Sequence, residues 1–399
     1  MVRLSTAHLH DATIERLTQR QRELADAQLR MTTGKRVMCA SDDPINAARA
    51  ERALAGTARA EAGTRSVDAS RSAMTQTEAA LGDATDLLQQ VREALVASGN
   101  AGYDDSQRKA LADQIRGLRD QLLGVANRGD GAGGYLFGGQ GSATPPFLDA
   151  SGGVQYVGTR GATNAARGDD LPMTMDGDAA WLSAPSGNGV FETQVVTSTG
   201  NAWIDAGRVT DPTALTGSDY SVQFSVSGGT TTFSVLKDGA PTPLTNVSYV
   251  AGQAIEIDGM AFAVSGVPAD GDAFAVVPST PSLSVFDALD AAANELATPL
   301  RSKGAIAQTT ATSLRDVDAA LARISATRSA AGEALTRIDN VGARHEAAVA
   351  SGKIERSNAE DLDLTAAISD FQTRQTGYQA ALQTYASVQR LSLFDYIRT

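Results

Sequence analysis

The sequence predicts an α+β multidomain fold in which both chain ends build a long antiparallel α-helical coiled coil and bundle, with a mainly-β domain inserted between them. Apolar residues recur at alternating spacings of three and four over residues 1–141 and 284–399, as on one face of a helix. Between these blocks, β-branched and aromatic residues alternate with polar ones, as on a half-buried strand. Charge changes at the same boundaries, because residues 142–284 hold 4 Lys and Arg against 14 Asp and Glu.

The N-terminal segment is the first predicted helix. A loop, "TTGKRVMCASDDPIN", follows it, and there Asp43 has the chemistry of an N-cap and Pro44 that of a first helical residue, whose missing N–H costs nothing. The next helix is therefore predicted to begin at Pro44. The heptad seam of the first helix consists of His10, Ile14, Leu17, Gln21, Leu24, Gln28 and Met31.

Longer heptad seams follow in both helical blocks. One helix is predicted from about 44 to 98, with a shorter helix over 111–125 returning along it as an antiparallel hairpin. The seam residues of the long helix are Val67, Ser70, Met74, Thr77, Leu81, Ala84, Leu88, Val91 and Leu95. Ser284 has capping-box spacing to Asp287 and predicts another helix start. After Pro299, which interrupts that helix, a second long helix is predicted from about 305. Its seam residues are Leu314, Val317, Leu321, Ile324, Ala331, Leu335 and Ile338.

The two ends of the chain carry matching stripes, since Ile368, Phe371, Gln375, Tyr378, Leu382, Tyr385 and Gln389 repeat the spacing of the N-terminal seam. The matching stripes predict that the terminal helices pair with each other. Glutamine at alternate seam positions weakens a two-helix pair while it favours one register. Our hypothesis is that the pair is marginal in a monomer and becomes ordered when neighbouring subunits cover its remaining apolar face; an ordinary bundle without a partner is the alternative.

Three domains are predicted from these patterns. Residues 1–43 with 354–399 form the terminal helical coiled coil, and residues 44–141 with 284–353 form a long-helix bundle. Residues 142–283 form the inserted β domain, which "YSVQFSVSGGTTTFSVLKDG" and "QAIEIDGMAFAVSG" represent best. The net charge of that stretch predicts a solvated, mutually repelling surface.

Composition excludes several classes of protein. A formal net charge of −12 argues against general nucleic-acid binding, which needs a positive surface. The single cysteine, Cys39, has no partner for an internal disulfide and is interpreted as a chance surface or semi-buried thiol. The first residues lack the apolar core of a signal peptide, and no apolar run is long enough to span a bilayer, so we expect any export to use no cleaved signal.

The sequence predicts no enzymatic activity, no cofactor and no metal site. The three histidines are scattered without metal-ligand spacing. The glycine-rich "GDGAGGYLFGGQG" matches no phosphate-binding motif and is interpreted as a turn with close backbone packing. The paired carboxylates Asp42 and Asp43 lie at a helix start, where negative charge favours the helix dipole.

Four stretches carry a resemblance to a known family. They are "RLST" near the start, "TGKRVMCASDDPINAARA" at 33–50, "LLGVANRGDGAGGYLFGG" at 122–139 and "RLSLFDYI" at the end. Together they resemble the flagellin superfamily of bacterial flagellar proteins. The segments "GGYLFGG" and "SLFDYI" are most similar to its hook–filament junction family, and the resemblance covers both helical blocks.

The resemblance implies a secreted structural component of the bacterial flagellum, exported by the flagellar type III apparatus without a cleaved signal. Such proteins form a ring of copies that contacts the first hook-associated protein on the hook side and flagellin on the filament side, and a cytosolic export chaperone binds them beforehand. Carried onto this sequence, the terminal-helix packing residues are Ile14, Leu17, Leu24, Met31, Phe371, Tyr378, Leu382, Tyr385, Leu391 and Phe394. The connector loop between tube shells is Gly34, Lys35, Arg36, Ser41, Asp42, Asp43 and Pro44.

Two alternatives stay open at this point. The first is flagellin, the bulk polymer of the filament, which shares the loop motif at 41–44. The second is a helical stalk whose β domain binds a surface or a glycan. An enzyme within the β domain is disfavoured, because that stretch offers no convergent catalytic set.

Overall fold

A computed structural model describes residues 6–166 and 168–397, with side chains described over 11–166 and 168–387. The chain divides into two compact units, the first made of residues 1–65 and 342–399 and the second of residues 66–341. Helices α1 (Thr6–Thr33) and α7 (Leu364–Ile397) belong to the first unit, whereas α2 (Pro44–Ser98) and α6 (Lys303–Glu360) contribute to both. The division into three predicted domains stays a prediction.

The predicted helix start at Pro44 is confirmed. The backbone N–H of Asn46 donates to the Asp43 carboxylate over 3.0 Å, and the Asp43 carbonyl accepts the first helical bond, from Ala47, over 2.9 Å. This is the N-cap arrangement that satisfies backbone donors at a helix start. Helix α2 then runs to Ser98, the end that the sequence predicts.

The second unit has a closed helical core. Helices α3 (Asp105–Ala126) and α5 (Val285–Ala297) pack with the long helices. The predicted cap at Ser284 forms, since its side chain accepts from the backbone of Asp287, and Asp104 closes a capping box with Gln107 at the start of α3. Every seam residue predicted for α2 in this unit is buried, which confirms that register. These residues are Val67, Ser70, Met74, Thr77, Leu81, Ala84, Leu88, Val91 and Leu95.

An aromatic cluster completes this core. Hairpin β1 (Phe147–Ala150) and β2 (Gly153–Tyr156) and the short helix α4 (Gly177–Trp181) bring Phe147 and Trp181 against Phe286 of α5. The glycine-rich stretch before them is a turn, as interpreted from sequence. Gly139 there has a φ of +65°, and its backbone approaches Thr159 so closely that a side chain would overlap the Thr159 carbonyl.

The remaining strands form two antiparallel sheets with a core of their own. These strands are β3 (Phe191–Thr197), β4 (Trp203–Ile204), β5 (Arg208–Val209), β6 (Tyr220–Ser227), β7 (Thr230–Lys237), β8 (Ala240–Pro241), β9 (Val247–Ser248), β10 (Ala254–Ile257), β11 (Met260–Ser265) and β12 (Ala273–Pro278). The six-stranded sheet has the order β3-β12-β6-β7-β8, with β9 also paired to β7, and the smaller sheet pairs β10-β11-β4, with β5 on β11. Side chains of both sheets, from Phe191 to Val276, share one buried cluster.

Two different cores therefore divide the stretch predicted as one β domain. Phe147, Val154 and Trp181 belong to the helical core, whereas the sheet core begins at Phe191. The sequence pattern does not distinguish the two regions, because short strands and loops of similar composition occur in both.

Arg315 of α6 joins the sheets to the helical core. Its side chain is 8% exposed, donates to the Thr193 carbonyl over 3.1 Å and pairs with Asp316 over 2.9 Å. Burial raises the pKa of Asp316, while the adjacent guanidinium of Arg315 opposes this rise. Nearby, the Gln308 side chain accepts from the backbone of Ile204 over 2.9 Å.

Removing this arginine is expected to destabilise the protein. Arg315→Met leaves the largely buried Asp316 carboxylate and the Thr193 carbonyl without their donor, and breaking a largely buried pair is expected to cost about 3 kcal/mol of unfolding free energy. The matched control is Arg92→Met, which breaks an exposed pair with Asp318 and costs at most about 1 kcal/mol. Urea unfolding measures both, and equal losses in the two variants would contradict this role for Arg315.

Candidate assembly site

Helices α1 and α7 pair antiparallel in the first unit. Two contacts fix their register: Arg20 donates to the Gly377 carbonyl over 3.0 Å, and Arg374 lies 3.6 Å from the carboxylate of Glu23. Arg374 also pairs with Asp370 on its own helix over 2.7 Å. Polar contacts, rather than interlocked apolar side chains, therefore define the register of the two helices.

The seam of this pair is rotated from the predicted one. One predicted column on each helix is half-buried: Leu17, Leu24 and Met31 on α1, and Phe371, Tyr378 and Tyr385 on α7. The other predicted column, which contains Ile14 and Leu382, is exposed instead. The seam instead includes positions one residue before those of the exposed column, because small side chains there let the helices approach. The half-buried residues at these positions are Thr13, Ala27, Ala367 and Ala381.

Within residues 11–33 and 364–387, every side chain is half-buried or exposed. Over these residues the pair therefore has apolar columns but no core, in contrast to the closed core of the second unit. Since most helix stability in proteins comes from packing an apolar face, such a pair is weakly stabilised. The predicted packing residues Leu391 and Phe394 lie where side chains are outside the described part of the chain.

The connector loop pairs with the segment that joins α6 to α7. The backbone of Arg36 donates to the Glu360 carbonyl over 2.7 Å, and the backbone of Leu362 donates to the Gly34 carbonyl over 2.9 Å. Gly34 has a φ of +69°, which other residues rarely adopt, so it supplies the turn that leaves α1. We call this pairing of residues 34–37 with 359–362 the clasp.

Ion pairs surround the clasp. Glu360 lies 3.2 Å from the Lys35 ammonium and 2.6 Å from Arg356, while Arg36 donates to the Ala359 carbonyl over 2.8 Å and lies 3.3 Å from Asp43. The bond from Arg356, together with Lys35, lowers the pKa of Glu360. Because the pKa is lowered, these pairs stabilise the clasp at neutral pH and are lost as the pH falls through the lowered value.

The remaining connector residues organise the loop before α2. The Asp42 carboxylate accepts from the backbone N–H of Met38 over 3.1 Å and of Cys39 over 3.3 Å, and these bonds lower its pKa. The backbone N–H of Asn46, with its side chain, likewise lowers the pKa of Asp43. Ser41 is exposed and lies 3.1 Å from the Cys39 thiol.

Of the predicted connector residues, Gly34, Lys35 and Arg36 lie in the clasp and Asp43 pairs with Arg36, but the sequence did not identify the clasp partners of these residues. Ala359, Glu360 and Leu362 are more than 300 positions away along the chain. The signal was present as an acidic stretch, "AEDLD", opposite a basic "GKR". A single sequence does not say which of several charged stretches meet.

Small residues bring the long helices together in the first unit. A side chain at Gly63 would overlap the His345 ring, and one at Gly352 would overlap the Thr57 hydroxyl. Ala50, Ala53 and Ala60 are buried along the same contact face. Among residues 6–166 and 168–397, no group of three or more potential metal ligands occurs, and no helix is long and apolar enough to cross a membrane.

Comparisons with known proteins agree with this arrangement of helices and sheets. Residues 4–142 match the family described as the bacterial flagellin N-terminal helical region, and residues 195–278 match the flagellar hook-associated protein 1, D2-like domain. Flagellar hook-associated protein 3 of Escherichia coli (strain K12) is 25% identical over 402 residues, which cover 99% of each chain. The predicted resemblance to the flagellin superfamily, and to its hook-associated proteins in particular, is therefore confirmed.

Solved structures show the same similarity. Flagellar hook-associated protein 3 of Legionella pneumophila is 26% identical, with a TM-score of 0.71 over 76% of this chain and 97% of that one. FlgL of Xanthomonas campestris is 28% identical, with a TM-score of 0.68 over 77% of this chain and 99% of that one. These similarities confirm the predicted fold class and the resemblance.

The predicted class of function, a structural flagellar protein of the hook-associated type, is confirmed in the same way. The relatives that align with most of this chain are named flagellar hook-associated protein 3 or FlgL. Flagellin is therefore the less supported alternative. These relatives are structural flagellar proteins, and this chain is accordingly a flagellar component.

The clasp makes a specific prediction about proteolysis. Glu360→Gln removes the carboxylate that pairs with Lys35 and Arg356, so trypsin is expected to cleave after Lys35 and Arg36 about fivefold faster, since each exposed ion pair contributes about 0.2–1 kcal/mol. Glu355→Gln, an exposed glutamate on the same helix, is the matched control. Mass spectrometry of the early peptides measures the rates; equal rates in the two variants would show that Glu360 does not hold the clasp closed.

Proposed function

We propose that this chain is a ring-forming adaptor that joins the hook to the flagellin filament. The observation that carries the proposal is the terminal pair, in which apolar columns of α1 and α7 are matched to each other yet no described side chain is buried. A pair of this kind gains stability when further helices cover it. Copies of this chain and its neighbours along the flagellum would supply those helices.

The mechanism is mechanical rather than chemical. Heterologous, head-to-tail packing presents different surfaces on the two sides of each copy, so a ring can bind one partner on one side and another on the other. We assign the hook side to the first hook-associated protein and the filament side to flagellin. Burial of apolar side chains at about 1.5–3 kcal/mol each drives assembly, offset by the entropy of ordering the helices.

The packing and connector residues have distinct roles in this proposal. The half-buried residues Leu17, Leu24, Met31, Phe371, Tyr378 and Tyr385 form the seam that holds the terminal helices together, while Ile14 and Leu382 stay available to neighbours. The clasp fixes where α1 ends and α7 begins. Leu391 and Phe394 stay predicted packing residues.

Export and localisation follow the same reasoning. The protein would leave the cell through the flagellar type III apparatus without a cleaved signal, and would function in the extracellular flagellum. Before export, exposed apolar residues such as Ile368 and Leu382 would otherwise promote aggregation. A cytosolic export chaperone that covers the C-terminal helix would prevent this.

Deleting the gene tests the proposed position in the flagellum. Cells without the protein are expected to carry hooks that lack filaments and to shed unpolymerised flagellin into the medium, because the filament has nothing to grow from. Complementation with Leu24→Asp is expected to reproduce this defect, whereas Gln19→Asp, an exposed position on the same helix, restores filaments. Electron microscopy and flagellin levels in the medium are the readouts.

Two outcomes would contradict the proposal. Filaments of normal length on the deletion strain would show that no junction depends on this chain. Purified protein that elongates seeds made of itself would instead identify it as a filament polymer.

A further inference from the structure

The terminal pair has a second column of heptad residues on each helix, beside the seam. It consists of the six residues that the seam leaves out: Ile14, Gln21, Gln28, Ile368, Gln375 and Leu382. All six are exposed, with Ile14 and Ile368 each 44% and Leu382 42% exposed. We call this set the glutamine face.

The register of the pair arranges the glutamine face in three levels. The contacts of Arg20 with Gly377 and of Glu23 with Arg374 align α1 and α7 antiparallel. Counting along the helices from these contacts places Gln21 level with Gln375. The same count places Ile14 level with Leu382, and Gln28 level with Ile368.

Both columns face the same side of the pair. On each helix the exposed column precedes the half-buried column by three residues, and in antiparallel helices an equal offset turns both columns to one side. The glutamine face is therefore one continuous surface, apolar at one end, amide in the middle and mixed at the other end.

We propose that Gln21, Gln28 and Gln375 are specificity-determining residues that stop copies of this chain from pairing prematurely through the glutamine face. The inference rests on the proposed function, in which neighbouring copies cover this face in the assembled ring. With leucine at the three positions, all six residues would be apolar and any two copies could bury them together. With glutamine, each buried amide needs a hydrogen-bond partner.

A second copy fits this face because an amide both donates and accepts. The level formed by Gln21 and Gln375 can bond to the amides of another copy in a register that brings amide opposite amide. Other registers bury an amide against an apolar side chain and are disfavoured. Polar residues at heptad positions select register and oligomeric state in this way, at a cost in stability.

The test compares two triple variants of the full-length protein. Gln21→Leu with Gln28→Leu and Gln375→Leu makes the glutamine face apolar. The matched control, Gln19→Leu with Thr373→Leu and Gln383→Leu, adds three leucines at exposed positions of the same helices, none of them three or four residues from a member of that face. Sedimentation equilibrium of the purified proteins without other flagellar proteins measures the weight-average mass.

The first variant is expected to about double the weight-average mass at concentrations where the parent and the control are monomeric, because dimers bury the widened face. The inference is overturned if the first variant stays monomeric, or if the control associates equally, since added apolar surface would then explain the result. A parent protein that polymerises alone would overturn the proposed function together with this inference.

Discussion

Two helices that pair along a narrow seam bury too little apolar surface to be stable by themselves, and the terminal pair of this protein is such a case. Helices α1 and α7 contribute one half-buried apolar column each, with arginines and small residues beside it, and no described side chain of the pair reaches a buried environment. The described part of these helices can form a buried core only when further helices cover the apolar residues that the pair leaves exposed. The remainder of the first unit holds that incomplete pair in a defined starting arrangement.

The clasp supplies part of this arrangement. It joins the end of α1 to the start of α7 through backbone hydrogen bonds, and ion pairs at Glu360 stabilise the crossing. These hydrogen bonds consequently hold the end of α1 next to the start of α7. The second unit differs in kind, because its helices and sheets close their own cores around Trp181 and Phe274 and need no neighbour to do so.

Sequence reasoning succeeded where one residue pattern had one structural consequence. The α2 seam from Val67 to Leu95 was predicted residue by residue, because large apolar residues alternate with small ones at strict heptad spacing. The helix start at Pro44 followed from its local chemistry. In the terminal helices the same spacing did not determine which residues form the seam, because both Ile14 and Thr13 precede Leu17 by an interval that fits a heptad. Thr13 and Ala27 lie at the seam because their small side chains allow the two helices to approach more closely.

The features that sequence missed depend on contacts far apart along the chain. Arg315 was one arginine among many in a helix, and its burial against Thr193 follows from how the sheets pack on α6. Glu360 was one of several acidic residues near the end of α6, and its bonds to Lys35 appear only once the clasp forms. The family resemblance anticipated which loop forms the connector, but not what it binds within the chain.

Amide hydrogen exchange measures how far the terminal helices depend on neighbours, by comparing the dilute isolated chain with the same chain assembled into hook–filament junctions. Residues 11–33 and 364–387 are expected to exchange rapidly in the isolated chain while residues 67–95 are protected, and assembly is expected to slow exchange in the terminal helices about a hundredfold or more. Terminal helices that are as protected as residues 67–95 in the dilute isolated chain would contradict this dependence on neighbours.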